Sequence, residues 1–185
     1  AHLDGITELT GHVAAMLENE ALRWVFVPTM IAEKGLPELP NRKFCPWVES
    51  HPAVLRSNLA AAGYDTSRII SPVVDFRVPE KTTVHKLHRA VGIPLGKSKA
   101  EIRAAWRDAL DAQREFQDAC RREGEKALAE IASRDETAIV IVGRPYNTFD
   151  MGANLSLPRK IAQYGYRVIP VDFMPFDPEL VPPEY

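Results

Sequence analysis

The chain has 185 residues, 45% of them hydrophobic, enough to bury a core and, by length, to build one domain or two small ones. Its 23 basic side chains stand against 25 acidic ones for a formal charge of -2, which gives no electrostatic reason to expect a nucleic-acid or anionic-membrane partner. No apolar run approaches the roughly 18 residues of a membrane span, and Ala1 to Gly5 lack the basic and apolar parts of a signal peptide, so a cytoplasmic protein is expected.

In chain order, Ile6, Leu9, Val13, Met16 and Leu17 fall at helical spacing, and Leu22 to Val27 is a short apolar run stopped by Pro28. A helix and then a buried strand are expected. Residues 29–42 carry two prolines, a glycine and mixed charges, the composition of a long loop, and long loops in compact domains are often functional. After Cys45 and Pro46, the pattern predicts a helix over 53–62 ended by Gly63, and a strand in the apolar run Ile69 to Val74. Residues 83–91 suggest a short helix closed by Gly92.

Ser98 and Glu101 match the S-x-x-E capping box, in which the serine and glutamate side chains satisfy each other's backbone N–H groups at a helix start. From there to Ser133, Ile102, Trp106, Ala109, Phe116, Cys120, Ala127 and Ile131 step by helical spacing, as one buried face does, with Gly124 weakening the helix locally. The charges between the stripe positions read as a solvated face or as a helix bridging two lobes. Ala138 to Val142 has the continuous apolar character of a strand covered on both sides of a parallel sheet, and it runs into Gly143-Arg144-Pro145-Tyr146-Asn147. A helix around 157–164, stopped by Gly165, and a strand over 167–171 complete a β-loop-α-β unit, whose crossover should be right-handed. This is open α/β architecture. The chain opens without methionine and closes in the proline-rich 173–185, so a piece of a longer polypeptide is expected.

Open parallel sheets bind ligands at the carboxyl ends of their strands, which directs attention to the loop after Val142. Gly143 permits close backbone approach, Arg144 offers a planar donor fork for phosphate or carboxylate, and Tyr146 and Asn147 add hydrogen-bonding groups. Equally, Arg144 could pair with Asp150 or Asp172 and only hold the loop. The segment from Asp150 to Asn154 leads into the next helix, a place where backbone N–H groups meet anions. Neither G-x-x-x-x-G-K-[ST] nor G-x-G-x-x-G occurs, so a nucleotide triphosphatase or a Rossmann dinucleotide site has no support.

Cys45 and Cys120 make neither a disulfide framework nor a C-x-x-C pair. Cys120 falls on the apolar stripe, where a free cysteine acts as a small buried hydrophobe. Cys45, His51 and His12 form a conceivable metal or acid-base constellation, with solvated or capping histidines and a structural thiol as the alternative. Trp24, Trp47 and Trp106 read as core or interface anchors, and Trp47, beside Cys45-Pro46, is placed to shield a buried site.

The run from Gly143 to Pro175, GRPYNTFDMGANLSLPRKIAQYGYRVIPVDFMP, resembles the signature segment of the acyl-CoA dehydratase activase-related proteins, which are similar in turn to 2-hydroxyacyl-CoA dehydratase subunits. A second, weaker match follows the order of that family's G-H, F-L-P and C-P elements: Gly11-His12, Phe26-Val27-Pro28 and Cys45-Pro46. The resemblance implies two flavodoxin/Rossmann-like parallel-sheet lobes, here 1–95 and 136–185 with the second truncated, joined by a long helix over 96–135. It further implies low-potential electron transfer for radical dehydration of 2-hydroxyacyl-CoA thioesters and a [4Fe–4S] cluster held by cysteines. Only Cys45 matches a ligand position, and Ala1 to Thr10 lack the cysteine that the family tends to carry before its G-H pair.

The function expected on this basis is an accessory or electron-transfer component that positions a cluster or an acyl-CoA. Its partner would be a dehydratase or activase subunit or an attached ATPase domain. The alternatives are a metal-free module binding CoA or a phosphorylated small molecule through Gly143, Arg144, Tyr146, Asn147 and Asn154, and a structural or interaction domain of a larger protein. Whether the chain is an enzyme is left open.

Overall fold

Two prolines interrupt the hydrogen bonding of the first parallel sheet without ending it. In the computed structural model, which describes residues 2–34 and 42–175 apart from the side chains of residues 2–8 and Tyr146, Val25–Phe26 (β1) pairs in parallel with Ile69–Ile70 (β3). Thr29–Met30 (β2) pairs likewise with Val73–Val74 (β4). Val25 lies opposite Ile69 and Thr29 opposite Val73, a constant offset that puts Pro28 in register with Pro72. Neither proline has an N–H to donate. The chains nevertheless run on together: the N–H groups of Val27, Thr29 and Ile31 donate to the carbonyls of Ile70, Pro72 and Val74, each at 2.9 Å. The four short strands are one interrupted parallel pair.

This pairing corrects the expectation of a loop beginning at residue 29. Beyond Met30 the chain remains extended, and Ala32 bridges Lys43 in antiparallel fashion, with the Glu33 N–H donating to Arg42 O and the Phe44 N–H to Ile31 O. Only the middle of the expected loop, residues 35–41, lies outside the described residues.

The helix α1 (His2–Glu18) precedes β1, and α2 (Pro46–Ala61) connects the two halves of the parallel pair. The expected start of α2 at residue 53 is seven residues late: Pro46 opens it, Pro52 is accommodated inside it, and Cys45 is the residue before its first turn. At its other end Gly63, at φ +88°, adopts the left-handed conformation that a side chain resists. The Gly63 N–H reaches Ala60 O and the Tyr64 N–H reaches Leu59 O, both at 3.0 Å, which together make a Schellman cap. Val13 and Leu17 from α1, Leu55 and Leu59 from α2, and Val25, Val27 and Ile69 from the strand segments form one buried cluster. Arg68 ties the end of α1 to it, donating from Nη1 to Leu17 O at 2.6 Å and from Nη2 to the Asn19 and Leu22 carbonyls.

After β4 come α3 (Glu80–Leu87), a π-helical turn at His88–Gly92, and the long α4 (Lys99–Ser133). The capping box forms as expected: the Glu101 N–H donates to Ser98 Oγ at 3.2 Å and the Ser98 N–H to Glu101 Oε2 at 2.9 Å. The chain separates into two compact units, one reaching to Arg107 and one beginning at Asp108. The stripe on α4 is only partly buried. Cys120 and Ile131 are covered, but Phe116 is 64% exposed, because residues 111–118 are solvated on every side within the described chain.

In the second unit, β5 (Ala138–Ile141) pairs in parallel with β6 (Arg167–Pro170). Between them lie α5 (Pro145–Phe149), a turn the periodicity did not predict, and α6 (Leu157–Ala162). Parallel pairing is thus present in both units, and the chain is an α/β protein with small parallel sheets. β5 departs from the expectation of a strand covered on both faces, since Val140 and, just beyond it, Val142 are exposed. Gly124 has a structural reason: a Cβ there would lie 1.8 Å from the backbone oxygen of Phe173, in the 3-10 turn Val171–Phe173 that follows β6.

Candidate functional site

The loop that leaves the carboxyl end of β5 is wired by its own side chains. Thr148, buried in α5, packs its methyl group over Gly143, where a Cβ would stand 3.1 Å from it. Its hydroxyl donates back to the carbonyls of Pro145 at 3.2 Å and Arg144 at 3.4 Å. Asn154 closes the loop, donating from Nδ2 to Thr148 O at 3.0 Å, while its Oδ1 is buried with no hydrogen-bond partner among the described residues. Asp150 Oδ1 accepts from the Ala153 N–H at 2.7 Å. Leu155 and Ser156 follow at φ 52° and 58°, two successive left-handed residues that cost roughly 1–2 kcal/mol each without the freedom of glycine. Backbone strain of this kind persists only where surrounding contacts impose it, and it gathers at binding sites.

Arg144 stands at the mouth of this loop. Its side chain is exposed and makes no ion pair or hydrogen bond with Asp150, Asp172 or any other described residue. Asn147 is exposed one turn further on, and Gly143 is exposed beside Arg144. Tyr146 lies in α5, with its side chain outside the described residues. The loop therefore brings Gly143, Arg144, Asn147 and Asn154 together within one stretch, residues 143–154, whose backbone is fixed by internal hydrogen bonds.

Cys45 occupies the equivalent place in the first unit. It follows the extended segment beyond β2 and precedes the first turn of α2, with its carbonyl accepting from Val48 N–H at 2.8 Å. His51 is one and a half turns further along α2, 8% exposed, and its Nε2 is buried without a partner among the described residues. Burial pushes its imidazole below the ordinary histidine value. His12 is exposed on α1. Trp47 is 46% exposed, whereas Trp106 stacks on Phe76 at 5.4 Å between ring centres.

A [4Fe–4S] cluster needs four ligands, normally thiolates. Cys45 belongs to the first unit, and Cys120 is a buried residue of α4 in the second. Among the described residues no three His, Cys, Asp or Glu side chains are grouped to hold a metal ion, and Cys45, His51 and His12 are not such a group. The donor set does not fit a cluster held by this chain alone, and no chemistry is derived through one.

Two features escape a sequence reading. Asp75, just past β4, receives Arg77 in a fork, with Nε at 2.9 Å and Nη2 at 2.6 Å, and this pairing holds its carboxyl down at about 2. The D-x-R spacing after an apolar run is the signal that was available. The other is a basic cavity between α3 and the start of α4, foreshadowed by Lys99, Arg103 and Arg107 at four-residue intervals on one helix face. No helix among the described residues is long and apolar enough to cross a membrane. A family model described as the CoA enzyme activase uncharacterised domain matches residues 6–174. No curated protein and no solved structure matches the chain.

Proposed function

Because the chain belongs to the CoA enzyme activase uncharacterised domain family, we propose that it is an accessory component of an activase system for 2-hydroxyacyl-CoA dehydration, recognising an anionic CoA-type ligand. Family membership links it to an activase system. The recognition role is carried by one observation, the exposed guanidinium of Arg144 at the carboxyl end of a parallel strand, with no ion-pair partner among the described residues. A planar fork in that position suits a phosphate or a carboxylate, and Asn147 adds a neutral donor and acceptor beside it.

In this reading Gly143 lets the ligand approach the backbone, and Thr148 and Asn154 hold the loop in place beforehand, so that little ordering cost falls on binding. Each parallel pair is the nucleus of a flavodoxin-like lobe. The partner is a dehydratase or activase subunit or an ATPase domain, and Cys45 contributes to a cluster only where other chains or segments bring the remaining ligands.

Calorimetry with CoA and an acyl-CoA tests the reading. Arg144→Ala is expected to weaken binding by about tenfold or more, the worth of a charge-assisted hydrogen bond. Affinity that is the same without the guanidinium removes Arg144 from the ligand site.

A further inference from the structure

A cavity of about 460 Å³ lies within the first unit, lined by Lys81, Thr82, Val84 and His85 of α3 and by Lys99 and Arg103 of α4. Its size is within the roughly 300–1,000 Å³ of small-molecule sites. Val84, 1% exposed, closes its apolar side, and the remaining lining groups are donors or cations. The carboxylates nearby are already engaged. Glu80 is shared by Arg107 at 3.0 Å and Arg103 at 3.6 Å, two cations on one acid. Glu101 takes Lys97 at 3.0 Å and caps α4 through Ser98, which also holds its carboxyl down at about 2. Lys81 and Lys99 have no carboxylate partner among the described residues.

Among the described residues, three cations therefore converge on a concave surface with one half-shared carboxylate to balance them. Lys99 is also the first residue of a 35-residue helix, where the helix dipole adds to the positive field. Surface lysines normally spread apart or pair with acids; a hollow that gathers them, two without a carboxylate partner among the described residues, is matched by a multiply charged oxyanion.

We propose that this cavity binds a diphosphate group, free or carried by a nucleotide or CoA. Lys81 and Lys99 contact the oxyanion directly, Arg103 is positioned by Glu80, and Thr82 and His85 supply further hydrogen-bond donors. The site lies apart in sequence from the Gly143 to Asn154 loop and does not depend on that loop's role.

Titration of the full chain with inorganic pyrophosphate at low ionic strength, followed calorimetrically, tests it. Saturable one-to-one binding that weakens as salt is added is expected. Lys81→Gln and Lys99→Gln should each cost about tenfold in affinity, the effect of one charge-assisted hydrogen bond. Both positions are exposed, so the variants should melt at the wild-type temperature. Lys126→Gln, an exposed α4 lysine paired with Glu123 outside both proposed sites, should leave pyrophosphate affinity unchanged, which separates this site from general attraction to surface cations. Competition by ADP or by CoA then identifies the carrier of the diphosphate, and competition by neither leaves the inorganic ion. Absence of saturable binding, a double lysine variant that binds like wild type, or an equal loss caused by Lys126→Gln would each overturn the proposal.

Discussion

His51 shows how strongly a single residue depends on its setting. A histidine next to Pro52 reads as a helix boundary or a solvated group, yet α2 begins before it and carries it into a covered position, 8% exposed. Burial disfavours the imidazolium, so the folded chain resists a proton that the unfolded chain accepts near pH 6.5. Stability should be full above about pH 6.5 and fall as the pH drops toward the folded-state value, because the unfolded state there binds more protons. Thermal melts across that window are expected to show the slope in wild type and a flatter profile in His51→Gln; equal slopes would mean that another group titrates. Arg144 was legible as a candidate from its place after an apolar run, whereas its lack of a carboxylate partner among the described residues was not. Asp150 is six residues away and Asp172 lies just past β6, and only the folded chain shows that neither reaches it.

At the scale of elements, local signals performed best where the stabilising bonds are local. The capping box at Ser98 and Glu101 joins residues three apart, and it formed as the spacing implies. Ser98→Ala should cost about 1 kcal/mol, read as a lowered melting temperature. Gly124 is the opposite case. In a helix of 35 residues it reads as a weak point, but the Phe173 carbonyl rests where its side chain would be. Gly124→Ala improves intrinsic helix propensity and should nonetheless destabilise by about 1–3 kcal/mol, since the backbone must move to admit the methyl group. A variant as stable as wild type in denaturant unfolding would show that the turn after β6 yields freely. The same distinction explains the α4 stripe, where periodicity identifies a helix face correctly but does not say which turns of that face find a neighbour.

For the whole molecule, the two units have separate claims on function, and metal binding is the property on which they can be judged together. The first unit holds Cys45 and the second Cys120, with no metal-holding group of three among the described residues. Anaerobic reconstitution of the chain with iron and sulfide should leave it without the visible absorbance of a four-iron cluster. Stoichiometric iron and acid-labile sulfide would show that the chain completes a ligand set by self-association or with other donors. The sequence by itself determined the α/β class, the cap of the long helix, the strand-loop-helix-strand order around Gly143 to Asn147, and the family, because these rest on residue types and short spacings. Only the tertiary structure decided that Pro28 stands opposite Pro72 in one interrupted parallel pair, that Gly124 is a contact point, and that Lys81 meets Lys99 and Arg103 across a cavity. Those features join residues distant along the chain, and their energies come from pairing register, close packing and uncompensated charge, which arise only once the chain has folded.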